Sequence, residues 1–222
     1  MEKSESVAID HHFTNTGYAD SNYVEGDASS TGEIIFKLLK AMGIKPTKEV
    51  AEFLYAAISA DTGSFQYSST SPNTMRIVAE LMETGIDHAE IARNLFDRES
   101  PEVLKLKGHL MQNVESYLDG RLSMVVLSDA QFKSFGVSEK DSGDIVNIAR
   151  MSRLAEVAVS VRETPEKIKI SFRSNGKANV SDIAAHFGGG GHKMAAGASV
   201  TGKTPDAVRN EIIKVVGEYL DD

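Results

Sequence analysis

The apolar pattern of this chain changes period once, near residue 120, and that change governs what it can fold into. Before it, apolar side chains recur at helical spacing. Ile34, Ile35, Leu38, Leu39 and Met42 share a face behind the capping residues Ser29, Ser30 and Thr31, and Gly43 suits the helix end. Thr47 opens a second helix with Val50, Phe53, Leu54, Ala57 and Ile58, running into Asp61, Thr62 and Gly63. Ser71 and Pro72 open a third, closed by Gly85; Asp87 with Glu90 opens a fourth; Ser100 and Pro101 open a long fifth that reaches towards Gly120 and bridges two domains. A short buried strand, residues 6–9, comes before all of them and ends at Asp10, His11 and His12, with a polar loop behind it.

Beyond the switch the period becomes two. Residues 122–127 read as a strand, and residues 155–162 and 167–173 read as a hairpin about Thr164, Pro165 and Glu166. Short helices are expected over 130–135, 144–151 and 181–186, a strand over 198–201, and a last helix from Thr204 and Pro205 to Tyr219. The expected fold class is therefore α/β in two parts: residues 1–118, one strand plus helices, and residues 119–222, a smaller α+β domain. Helices with one strand to cover read as an incomplete layer structure, because a parallel sheet needs several strands and two buried faces.

Composition narrows the function. None of the 222 residues is cysteine, so disulfides and thiolate metal sites are excluded and any metal must sit on His, Asp or Glu. No apolar run reaches the roughly 20 residues of a membrane helix, and the polar start, residues 1–6, lacks the apolar core of a secretory signal. A cytoplasmic location with no membrane partner is the expectation. Residues 1–120 carry 10 basic against 19 acidic side chains, and residues 121–222 carry 14 against 13. The first half could collect cations and the second could meet an anion. The plainer reading of the charge split is two solvated surfaces of different composition. Long duplex nucleic acid is not expected as a partner, since it demands many Lys and Arg; a short oligonucleotide or a mononucleotide is not excluded by charge.

Three motifs could carry chemistry. Asp10, His11 and His12 stand just past a strand's carboxyl end, where open α/β sheets place ligands; two adjacent histidines on a loop also serve structure alone. Asp61, Thr62 and Gly63 end a helix, where a carboxylate faces the negative end of the dipole and a cation would offset it; all three are also turn formers. Gly188, Gly189, Gly190 and Gly191 before His192 strip away every side chain, so backbone N–H groups could approach an anion, with Lys193 and Arg173 adding charge. A flexible linker is the alternative, and it sits poorly inside a compact domain.

In order along the chain, Asp10-His11-His12, Ala28-Ser29-Ser30-Thr31-Gly32-Glu33, Asp61-Thr62-Gly63-Ser64-Phe65, Arg173-Ser174 and the glycine run with His192, Ala195, Ala196 and Gly197 resemble the DHH phosphoesterase family. The set is most similar to the bacterial nano-RNases that also dephosphorylate 3′-phosphoadenosine 5′-phosphate. The resemblance implies an incomplete parallel-sheet DHH domain followed by a DHH-associated domain, and a hydrolase using divalent ions, manganese before magnesium. It implies His11 and Asp61 as metal ligands, Asp10 orienting the site and His12 contacting the substrate phosphate. Arg173, Ser174, Gly188, Gly189, Gly190, Gly191 and His192 would hold the nucleotide. Alternatives are a nucleotide-binding remnant without catalysis and a cyclic-dinucleotide phosphodiesterase. Family members carry a further His and Asp cluster on earlier strands. The expectation is thus an N-terminally truncated chain, weak or inactive as a hydrolase and prone to associate as a homodimer through uncovered apolar faces.

Overall fold

A computed structural model describes residues 5–12 and 15–221; the chain start read above as polar lies partly outside them. The chain divides into two compact units, residues 1–98 and residues 99–222.

In the first unit β1 (Val7–Asp10) pairs in parallel with β2 (Ser21–Val24), Asp10 standing opposite Val24. The second strand lies in what the sequence suggested was a polar loop, so the one-strand reading is corrected to two. Nor is the first strand fully buried: Ala8 is covered, but Val7 is 70% exposed. Three helices follow, α1 (Thr31–Ala41), α2 (Lys48–Asp61) and α3 (Pro72–Met82), capped by the side chains of Ser30, Thr47 and Ser71. Their apolar faces meet through Phe36, Leu54, Tyr55, Ile58, Ile77 and Leu81. Gly32 permits the approach of α1 to α2, since a Cβ there would stand 2.9 Å from that of Ala57. The short α4 (His88–Ala92), capped by Asp87, runs into a π turn over Arg93–Asp97.

One polar group lies deep among these helices. Glu33 is 2% exposed, and its carboxylate accepts from Ser29 (backbone N–H and hydroxyl), Asn73 and Thr74, with the Lys37 ammonium 2.9 Å away. Burial by itself would raise its pKa; Lys37, then Ser29, Asn73 and Thr74, outweigh burial and bring it down to about 2. The network joins the turn before α1 to the first turn of α3.

The second unit begins with α5 (Pro101–Gln112), which ends well short of Gly120 because the following residues form β3 (Glu115–Tyr117) and a 3-10 turn, Leu118–Gly120. Then come β4 (Leu122–Leu127), α6 (Asp129–Phe135), α7 (Val146–Arg150), β5 (Val157–Glu163) and β6 (Ile168–Ser174). The chain closes with α8 (Val180–His186), β7 (Gly190–His192), β8 (Ala195–Val200) and α9 (Pro205–Asp221). The strands form one six-stranded sheet in the order β3-β4-β5-β6-β8-β7, antiparallel except between β4 and β5.

Alternation sorts the side chains of that sheet. Leu122, Met124, Val157, Val159, Ile170 and Phe172 pack against Val180 and Ile183 of α8 and Val208, Ile212 and Val216 of α9. On the other face Val125, Leu127 and Ala158 meet Val103, Leu106 and Leu110 of α5, Phe132 of α6 and Ile148 of α7. The helix expected to bridge the two domains thus belongs to this core. Among the described residues no helix is long and apolar enough to cross a membrane.

The depressed Glu33 pKa has a testable sign. Its contribution to stability is present above its ordinary pKa of 4.5 and is lost as pH falls from there to about 2. Glu33→Gln should lower the urea midpoint of the first unit at neutral pH and flatten its decline over that acid window, read from resolved amide signals of α1. An unchanged acid limb would show that the carboxylate is not held as described.

Candidate functional site

In the first unit the end of β1 and the end of α2 bring the predicted metal residues together. His11 Nε2 lies 3.6 Å from Asp61 Oδ2, with side-chain exposures of 15% and 45%. The other ring nitrogen, Nδ1, is 3.4 Å from the Ala28 carbonyl oxygen. A carbonyl can only accept, so a hydrogen bond here requires a proton on Nδ1, and in the neutral ring the Nε2 lone pair then faces a carboxylate. Two acceptors facing each other need a proton or a cation between them. Donors about 2.0–2.2 Å from one metal ion stand roughly 3.0–3.6 Å apart, so the observed separation fits two ligands of one divalent ion. An imidazole and a carboxylate also suit manganese or magnesium in kind.

Asp10 faces elsewhere. Its Oδ1 is 2.6 Å from His12 Nδ1, and its Oδ2 accepts from the Asn15 side-chain amide at 2.7 Å. These bonds, Asn15's first and then His12's, hold its carboxyl well below the ordinary carboxylate range. The His12 ring meets that of His11 edge-on at 4.5 Å between centroids. Asp10 thereby orients His12, which is half exposed.

The turn after Asp61 is strained. Gly63, Ser64 and Phe65 all have positive φ, a conformation costing non-glycine residues about 1–2 kcal/mol each. Gly63 also lies under the Tyr67 ring, whose Cζ would be 2.3 Å from a Cβ at that position. Thr62, fully buried, fastens the turn: its hydroxyl donates to the Ile58 carbonyl at 2.6 Å and accepts from Phe65 N–H at 3.1 Å.

In the second unit Arg173 of β6 stands opposite Ala195 of β8, which stands opposite His192 of β7. The three form one row, so Arg173 and His192 project from the same face, opposite to Phe172. Arg173 is bound by Asp144 at 3.0 Å. Ser174, buried, donates its N–H to Met194 and accepts from Gly176 N–H through its hydroxyl. The glycine run is not an open loop of amides. Gly188 and Gly189 donate to the Ala185 and Ala184 carbonyls, closing α8, and Gly190 to His192 are the edge strand β7. Gly189, just before β7, and Gly191 within it let the chain lie close on β8: a Cβ on Gly189 would be 2.1 Å from the Gly197 carbonyl oxygen, and one on Gly191 2.7 Å from that of Ala195.

Residues 122–222 match the DHHA1 domain. Over 214 residues the chain is 31% identical to a bifunctional oligoribonuclease and PAP phosphatase NrnA of Thermus thermophilus, covering 96% of this chain and 64% of that protein. Its counterpart in Bacillus subtilis is also 31% identical, over 87% of this chain and 62% of its own length. The crystal structure of an exopolyphosphatase-related protein from Bacteroides fragilis superposes with a TM-score of 0.89 at 31% identity, covering 98% of this chain and 66% of that one. Residues 122–222 are thus a DHHA1 domain, and the chain as a whole is similar to these proteins. It spans less than two thirds of the two curated relatives' lengths.

Four elements around the candidate residues of the first unit escaped sequence reading: Asn15 on Asp10, the Ala28 carbonyl on His11, the left-handed turn after Asp61, and the buried Glu33. A signal for the last exists. Ser30 and Glu33 have capping-box spacing, and the Ser30 hydroxyl does accept from Glu33 N–H. The carboxylate turns instead to Ser29, Asn73 and Thr74.

The DHHA1 glycines separate packing from recognition. Gly189→Ala should destabilise the second unit by about 2–3 kcal/mol through overpacking. Gly190→Ala, with open space around its Cβ position, should stay within about 0.5 kcal/mol. Denaturant midpoints of the two variants decide it; equal values would mean β7 does not pack on β8 as closely as described.

Proposed function

We propose that the chain acts as a metal-dependent phosphoesterase, a hydrolase of short oligoribonucleotides and of 3′-phosphoadenosine 5′-phosphate. The observation that carries this reading is the juxtaposition of His11 and Asp61, 3.6 Å apart from two separate elements. The NrnA relatives, an oligoribonuclease and PAP phosphatase in each case, support it. A bound divalent cation, manganese before magnesium, supplies a polarised phosphoryl oxygen and an activated water. The chain's own residues do the rest. His11 and Asp61 seat the cation. Asp10 holds His12 through Nδ1 and so orients its ring towards a substrate phosphate oxygen. Arg173, His192 and the chain path shaped by Gly188, Gly189, Gly190 and Gly191 hold the nucleotide in the second unit; Ser174, buried on the Phe172 face and bonded to Met194 and Gly176, serves the sheet instead.

The second reading, nucleotide binding without turnover, is favoured by one observation: among the described residues no group of three or more His, Asp or Glu could hold a metal ion. Affinity follows ligand number, so His11 and Asp61 by themselves should bind metal weakly and give slow hydrolysis.

A manganese-dependent assay on a short RNA and on phosphoadenosine phosphate distinguishes the readings. Slow turnover abolished by His11→Ala and by Asp61→Ala supports the phosphoesterase; turnover indifferent to both removes the metal pair from the reaction. No turnover with intact nucleotide binding leaves the second reading. His192→Ala should weaken nucleotide binding about tenfold, the worth of a hydrogen bond to a charged group, without changing the thermal midpoint. Unaltered affinity would take His192 out of the site.

A further inference from the structure

The His11 ring is positioned by a carbonyl, and that carbonyl is positioned by a buried charge. Ala28, whose oxygen lies 3.4 Å from His11 Nδ1, is followed by Ser29, and Ser29 is held by both its N–H and its hydroxyl to Glu33 Oε2, at 3.2 and 2.7 Å. Ser30, next in the turn, is fully buried and caps α1 through Glu33 N–H. The carboxylate is anchored from the far side by Asn73 and Thr74 of α3 and by Lys37, which also binds Glu25. The turn bearing the Ala28 carbonyl thus has little freedom while Glu33 is ionised and in place.

We propose that Glu33 is a positioning residue for His11: it fixes the turn of residues 28–30 so that the Ala28 carbonyl receives the Nδ1 proton, which presents Nε2 towards Asp61. Glu33 touches neither His11 nor a substrate atom. Its action passes through Ser29 and the backbone, as an outer partner that fixes the tautomer of a ligating histidine. The assignment rests on the reading of His11 and Asp61 as a metal pair, but its first step, the choice of tautomer, can be read without metal.

The test uses the whole chain with 15N-labelled histidine. Multiple-bond 1H–15N spectra, recorded where the His11 ring is neutral, show which nitrogen carries the proton. Wild type is expected to hold His11 in the Nδ1–H form. Glu33→Gln and the milder Ser29→Ala should move it towards the Nε2–H form that an unconstrained histidine side chain prefers. Asn73→Ala removes a buried bond to Glu33 without touching the turn; it should lower the melting temperature and leave the tautomer alone. That contrast separates positioning from general destabilisation, and Ser29→Ala answers the question if Glu33→Gln does not fold. Manganese added alone should bind Ser29→Ala about tenfold more weakly than wild type, followed by paramagnetic broadening of His11. A wild-type ring in the Nε2–H form, or an unshifted ring in folded Glu33→Gln and Ser29→Ala, overturns the proposal. The expected tautomer shifts without any manganese effect on His11 would uphold the positioning and overturn the metal pair.

Discussion

A carboxylate enclosed by apolar helices has to be met by donors on every side, and Glu33 is met by five. An isolated charge in such a place costs several kcal/mol, and the loss of one partner leaves the rest exposed to that cost. The first unit is arranged around this requirement. Ser29 must face inwards, so the turn before α1 cannot open; Asn73 and Thr74 must face it, so α3 keeps its place against α1. The small strand pair could not impose this order, because Val7, Tyr23 and Val24 are exposed and two strands have little to bury. Polar satisfaction, more than strand pairing, decides where the residues near His11 sit.

The second unit is organised by apolar layering. Its sheet is covered on both faces over β4 and β5, and the two sets of side chains there follow strict alternation. Such a sheet tolerates a polar wall only where no helix covers a strand completely. Arg173, Ser171 and Lys169 occupy that position on β6, with Arg162 bound to Ser171 and Lys169 to Glu139. The candidate nucleotide wall is therefore continuous with an uncovered sheet surface, and no separate loop builds it.

How much of this the sequence disclosed follows the physics of each element. Strand β4 was legible to the residue because six positions, nearly all buried, alternate between two cores. Helix starts were legible at Thr47, Ser71 and Ser100, where side-chain caps leave a local mark. The end of α5 was not: Val114, Tyr117 and Leu118 keep apolar side chains coming, and only pairing of β3 with β4 ends the helix. Strand β2 gave no signal, since all four of its residues are exposed and its strand form comes from its partner. At the candidate site, His11 and Asp61 were named through the family resemblance, and the fold brings them within 3.6 Å. The glycine run was read as a cradle of amides, yet two of those amides close α8 and the missing side chains make room for β8. Close backbone approach leaves the same trace in a sequence as an anion nest, and only coordinates separate the two.

The placement of Arg173 and His192 in one transverse row makes the sheet a ruler. Their backbones are two strand spacings apart, about 9–10 Å, and that interval belongs to the hydrogen-bonded lattice between β6, β8 and β7. Side-chain rotamers can swing, but the mountings cannot drift unless the ladder shears. A ligand gripping both would meet fixed posts and would spend little of its affinity on ordering them.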